Sequence, residues 1–284
     1  MEVGDFCRMK LKSFERKRVN SMNKKSNFKR IRIAAALIAA VAAIIIAGVN
    51  TSSVFAEALS KVPVVGNIVK VITFREYTVN EDTYKADIKA PAIKGLENNK
   101  ALENSLNEKY LKEAEEQYKA FMADMEYIKE IGGGHAGIKS GYEVKTDTDK
   151  ILAILRYNVS TSNSYSETKY DTVDKQKQIL LTLPMLFKDD SYVKMISDNV
   201  KKQMLELNKA DSSNYYWIEG IEKDPKMISF KEIAKDQSFY INPQNKLVIC
   251  FEKYEVAPGA MGHLEFVIPT EILSDSLVSN EYMK

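Results

Sequence analysis

The chain of 284 residues carries 41 Lys+Arg against 39 Asp+Glu and only two cysteines, Cys7 and Cys250. The near-neutral total conceals two opposite regions: residues 1–56 hold 11 of the basic and 3 of the acidic side chains, a balance of +8, which leaves −6 for the remainder. An acidic remainder disfavours nucleic acid as a partner, and two cysteines exclude a disulfide-stapled scaffold, since ~220 residues can bury a core unaided.

The first predicted element is the uncharged run Ile33 to Val49, 17 residues long. As a helix it covers about 25 Å of a bilayer core of ~30 Å, and Val54-Phe55-Ala56 extends it. Lys24, Lys25, Lys29, Arg30 and Arg32 precede it. The positive-inside tendency then keeps the N-terminus in the cytoplasm and sends the chain after the run outside, with Cys7 and Cys250 on opposite sides. Ala56-Glu57-Ala58 before Leu59 is a small-x-small signal-peptidase pattern, and Val54-Phe55-Ala56 overlaps it. Three readings stay open: a cleaved signal peptide, a retained anchor, or an anchor whose cleavage is withheld until a signal arrives. Against the first, both the basic flank and the apolar run exceed the usual signal-peptide lengths, about 7 to 15 residues for the apolar part. The expected organisation is a basic cytoplasmic tail over 1–30, a transmembrane helix over 31–55, a juxtamembrane segment with the cleavage site over 56–75, and an extracytoplasmic domain over 76–284.

Past the anchor, Pro63 and Gly66 punctuate an apolar stretch expected to form a turn or short helix, with Leu59 to Val71 packed so as to hide the cleavage site. Tyr77, Val79, Tyr84, Ala86 and Ile88 alternate, which predicts a strand pair around the Asn80 to Asp82 turn, ended by Pro91. Leu102, Leu106, Tyr110, Ala114, Tyr118, Phe121, Met125 and Ile128 recur at helical spacing and predict one long amphipathic helix over 98–131, packed on a sheet. Gly132-Gly133-Gly134 ends it in a loop with His135 that lacks the signature of a phosphate cradle. Strands are predicted over 142–146, 151–159, 165–173 and 178–183. Ile151, Ala153, Leu155 and Tyr157 share one face. A second helix is predicted over 190–207, Trp217 falls in a loop or short helix, 238–241 and 247–251 form a hairpin around Asn242 to Asn245, 264–268 is a strand, and Pro269-Thr270 opens a last helix. The fold class is α+β: a largely antiparallel sheet packed by two main helices.

Little in the sequence suggests catalysis. His135 and His263 are not spaced with other ligands in a metal motif, no G-x-S-x-G elbow is present, and Asp189-Asp190 suits a helix N-terminus. Cys250, in the strand-like run LVICFEKY, reads as a buried small hydrophobe. His263 reads as a loop residue. No cofactor and no metal are expected, and the chain reads as a sensor or binding module.

Four blocks carry a resemblance: LSKVPVVGNIVKVITF, KALENSLNEKYLKEAEEQYKAF, ILLTLPMLFKDDSYVKMIS and FEKYEVAPGAMGHLEFVIPTEI. Together, over about residues 56 to 284, they resemble the lysozyme-sensing anti-sigma-V factors. The last block is the most specific, through Tyr254, Glu255, Ala257, Pro258, Gly259, Met261, Gly262, Phe266, Ile268 and Pro269. Related ectodomains occur in PdaC-type peptidoglycan deacetylases, which would carry a further catalytic domain. The resemblance implies a single-pass membrane protein whose tail holds an extracytoplasmic-function sigma factor and whose outer domain binds lysozyme. Bound lysozyme would open the site at Ala56, Glu57, Ala58 and Leu59 to signal peptidase, and a site-2 intramembrane protease would then cut within Ile33 to Val49. By motif position, the lysozyme-facing loops are 160–164 and 257–262, with Ser162, Asn163, Ser164, Tyr165, Pro258, Gly259, Ala260 and Met261 as binding residues. Ala260 stands where the family can carry an aromatic two residues after the loop proline. Residues 1–28 lack the family's Pro-containing helical pattern, with Met9 or Met22 as alternative starts. The other class of function that fits is a membrane-anchored module binding peptidoglycan.

Overall fold

A computed structural model describes residues 69–162, 164–221 and 229–284. The tail, the apolar run Ile33 to Val49, the cleavage pattern Ala56 to Leu59 and Asn163 lie outside the described residues. Among the described residues, no helix is long and apolar enough to cross a membrane.

Six strands form one sheet in sequence order: β1 (Lys70–Asn80), β2 (Tyr84–Lys94), β3 (Ala136–Asp147), β4 (Ile151–Ser160), β5 (Ser166–Asp174) and β6 (Ile179–Leu181). All neighbours are antiparallel except β2 and β3, which run parallel because the long helix α1 (Lys100–Glu130) makes the crossover between them. The predicted helical stripe is the buried one: Leu106, Tyr110, Ala114, Phe121 and Met125 pack toward the sheet. Asn99 caps the start, its side chain accepting from the Leu102 N–H at 3.1 Å. At the other end Gly132 (φ 106°) and Gly133 (φ 92°) take left-handed conformations, and β3 starts three residues later, earlier than the 142–146 reading.

Pro91 does not end the first strand pair, and the first strand begins at Lys70, before the expected domain boundary at 76. β2 runs through Pro91 to Lys94, pairing Pro91 with Thr73, and the register of β1 slips at Phe74. A proline has no N–H to give a ladder, and a bulge beside it accommodates that loss. Val69 belongs to the core with Ile93 and Leu96, so the end of the supposed shielding segment Leu59 to Val71 is part of the domain itself.

β4 is buried on both faces over its first six residues, where alternation suggested only one apolar face. Leu152 and Ile154 meet the α1 side, whereas Ile151 and Ala153 meet a second layer. That layer is a three-stranded antiparallel sheet, β7 (Phe239–Ile241), β8 (Leu247–Phe251) and β9 (Leu264–Ile268), with helix α2 (Ser191–Ala210). Ile196, Val200 and Met204 on α2, Ile249 and Phe251 on β8, and Phe266 on β9 share one core. The layers are tied by Tyr170 stacked on Tyr240, with ring centroids 5.7 Å apart, and by the Thr146 hydroxyl donating to the Ile241 carbonyl at 2.7 Å. The predicted last helix is a single 3₁₀ turn, Thr270–Ile272; the chain beyond it is held by other contacts, with Lys246 Nζ donating to the Lys284 carbonyl at 2.6 Å.

The register fixes which connections share an end of the large sheet. Asn80 faces Lys85, Lys85 faces Gly137, and Ile138 faces Ser160, so the β1–β2 turn, the glycine loop and the β4–β5 loop lie together. Lys70 faces Lys94 at the opposite end, where Asn98 N–H donates to Gln178 Oε1 at 2.7 Å.

Candidate functional site

The predicted loops, 160–164 and 257–262, fall in the β4–β5 connection, 161–165, and the β8–β9 connection, 252–263. The structure brings their roots together: Lys253 Nζ donates to the Ser164 carbonyl at 2.9 Å, and His263 Nε2 lies 3.0 Å from Ser166 Oγ. Ser162, Ser164, Tyr165 and Ala260 are exposed, Pro258 and Gly259 half-buried. Met261 is turned inward against the core, and its Sδ accepts from the Tyr215 N–H at 3.4 Å. Tyr165 at 50% and Tyr254 at 59% exposure put two aromatic rings on this surface. Such rings are large, rigid contact groups of the kind that anchor protein interfaces. Tyr254 was read only as a motif residue, and its place on the surface is a feature that sequence reasoning missed. Partial burial, then the carboxylate of Glu167, raise the Tyr165 phenol above its usual pKa.

The second loop is pinned from below, and both loops carry backbone strain near a strand end. Val256 and Ala257 are buried, and Trp217 N–H donates to the Val256 carbonyl at 2.9 Å. Glu255 accepts from Glu252 N–H at 2.6 Å and from Gln237 Nε2 at 3.0 Å. Tyr254 has φ 69° and Ser164 φ 57°, left-handed values uncommon for residues with a Cβ. Strain of this kind costs about 1 to 3 kcal/mol per residue and collects where a surface must hold a particular shape. Gly259 has a steric reason to be glycine: a Cβ there would lie 2.1 Å from the Tyr254 ring. Gly259→Val is therefore expected to eject the Tyr254 ring from its seat while leaving the fold in place. The check is a changed Tyr254 NMR environment with an unchanged melting temperature.

Just past the glycine loop, Gly137 at the start of β3 lies against the β4–β5 connection. A Cβ on Gly137 would lie 2.0 Å from Thr161 Oγ1, and Thr161 N–H donates to the Gly137 carbonyl at 2.8 Å. Asp82, Lys85, His135 and Ser162 line a shallow groove beside this contact. Among the described residues, no three His, Cys, Asp or Glu side chains come together as a cation site. Cys250 is buried in β8, where burial first, then Glu265, push its thiol pKa far above the ordinary value, so it is no nucleophile.

The most elaborate buried polar group was invisible in sequence. Arg156 on β4 donates to Asp171 on β5 through Nε at 3.2 Å and Nη2 at 2.8 Å, and to Glu113 on α1 through Nη1. Lys109 Nζ adds a bond to Asp171 at 3.1 Å. These side chains sit between the helix and the sheet, where they hold the scaffold that carries the β4–β5 loop.

Residues 185–271, which include the second loop, match a family described as a protein of unknown function, DUF3298. A DUF3298 family protein from Pseudomonas aeruginosa has the same fold with a TM-score of 0.53 at 11% identity, over 76% of this chain and 96% of that one. A member from Bacteroides fragilis gives a TM-score of 0.50 at 18% identity, over 75% and 94%. At those identities the likeness concerns the fold alone. Over 250 residues the chain is 47% identical to the anti-sigma-V factor RsiV of Bacillus subtilis (strain 168), covering 87% of this chain and 85% of that one. That span is longer than the stretch from Val69 to Lys284, so the similarity reaches into the residues that precede the folded domain. An identity of this size over this length means that the chain belongs to the family of the anti-sigma-V factor RsiV.

Proposed function

We propose that the chain is a single-pass membrane anti-sigma factor that senses lysozyme. Its N-terminal tail sequesters an extracytoplasmic-function sigma factor, the run Ile33 to Val49 spans the membrane, and the folded domain stands outside. Lysozyme seats on the 161–165 and 252–263 loops, which makes Ala58-Leu59 accessible to signal peptidase; a site-2 protease then cuts within the membrane and frees the sigma factor. The observation that carries this reading is the 47% identity to an anti-sigma-V factor over nearly the whole chain. The charge balance supports it as well: a region at −6 attracts a strongly basic protein such as lysozyme, so encounter is steered and weakens with salt.

The test follows the full-length chain in membranes of living cells. Added lysozyme is expected to deplete it and to release a domain beginning at Leu59. A full-length chain that persists unchanged in the presence of lysozyme ends the sensing role. Ala58→Trp is expected to block release even with lysozyme bound, because the signal-peptidase pattern requires a small residue there. Release that continues in this variant moves the cut to Ala56 or elsewhere.

A further inference from the structure

Between the two loops runs a chain of polar contacts that joins them to each other. Glu252, just after β8, accepts from the Thr168 N–H at 3.0 Å and 3.2 Å and also from the Thr168 hydroxyl. His263, just before β9, places Nδ1 3.3 Å from Glu252 Oε2 and 3.3 Å from Thr168 Oγ1. Its Nε2 lies 3.0 Å from Ser166 Oγ. The donor inventory then sets the tautomer. The Thr168 hydroxyl proton is spent on Glu252, and a carboxylate only accepts, so Nδ1 must carry the hydrogen. In the neutral ring Nε2 is therefore the lone pair, and it accepts from the Ser166 hydroxyl.

We propose that His263 is the positioning residue of the partner surface. It fastens the start of β5, and with it the 161–165 loop, to both roots of the 252–263 loop, so the two loops face a partner as one preformed surface. This rests on the reading of those loops as the lysozyme-facing site. Preformed surfaces bind more tightly because less ordering remains to be done on association.

The charged groups around the ring have defined partners. Glu252 faces it directly. Lys253 is held on the Ser164 carbonyl, Glu167 lies 3.4 Å from Lys169 along β5, and Glu265 on β9 is engaged by Lys145, Tyr170 and Tyr240.

The experiment uses the full chain in detergent, as wild type, His263→Ala and His263→Gln. Glutamine keeps one donor and one acceptor on a side chain of similar reach. Hydrogen exchange of the amides in 160–166 and 253–263 is expected to quicken in both segments of His263→Ala and to stay near wild type in His263→Gln. Lysozyme should dissociate about tenfold faster from His263→Ala, a loss of about 1.4 kcal/mol. Unchanged exchange in His263→Ala overturns the proposal whatever lysozyme does. A wild type that binds no lysozyme overturns the reading of the surface instead, and the exchange result alone then decides the clamp.

Discussion

Arg156→Met is expected to destabilise the domain by about 3 to 5 kcal/mol, the usual cost of removing one partner from a buried ion pair. At 7% exposure Arg156 holds two carboxylates, Asp171 at 5% and the half-buried Glu113, against a guanidinium that also lies 4.5 Å from the centroid of the Tyr110 ring. Methionine fills much the same volume and leaves both carboxylates without their main counter-charge, with Lys109 remaining on Asp171 and Lys169 3.6 Å from Glu113. For a domain of this size the melting midpoint should fall by about 6 to 20 °C. The chain's single tryptophan, Trp217, supplies the fluorescence signal. A pH dependence should accompany the loss. Burial works to raise the Asp171 pKa, but Arg156 and Lys109 outweigh it and hold the carboxyl below its ordinary value. A depressed carboxylate stabilises the fold at neutral pH, and that contribution disappears as pH falls through the folded-state pKa, beneath the ordinary carboxylate range. The stability gap between wild type and Asp171→Asn should therefore narrow in acid. An unchanged midpoint for Arg156→Met, or a gap that widens in acid, contradicts this account.

Asn107→Ala should cost about 2 to 6 kcal/mol through a different cause. Asn107 on α1 is 0% exposed and serves both backbone groups of Ile93: its Oδ1 accepts from the N–H at 2.7 Å and its Nδ2 donates to the carbonyl at 2.8 Å. Truncation strands a donor and an acceptor beyond the reach of water, at about 1 to 3 kcal/mol each. Urea unfolding followed by circular dichroism measures the loss. A stability within experimental error of wild type means that α1 is held to β2 by apolar packing alone.

The parts of this fold legible in the sequence are those whose pattern is local. The α1 stripe from Leu102 to Ile128 has one buried face and a capping Asn99. The 239–251 hairpin announces itself through Asn242 to Asn245, where the Asn242 side chain accepts from the Gln244 and Lys246 N–H groups. Where tertiary context overrode local chemistry, reading failed. Pro91 looks like a strand breaker until the partner strand supplies a bulge at Phe74. β4 shows one apolar face by alternation, yet it lies between two layers, and the residues in the intervening positions are buried as well. Arg156, Asp171 and Glu113 are scattered over three elements and resemble ordinary surface charge. The candidate site was legible as two loops only through family resemblance. That His263 and Glu252 connect them depends on the register of β8 and β9, which no spacing in the chain reveals.

The position of β1 bears on how a signal could travel. It is an edge strand of eleven residues, so at ~3.3 Å each its two ends are about 36 Å apart. β1 starts at Lys70 beside Lys94, and it ends at Asn80, at the end of the sheet where the β4–β5 connection turns. The full length of the sheet therefore lies between the start of the first strand and the two adjoining connections, and the strands in between join one end rigidly to the other.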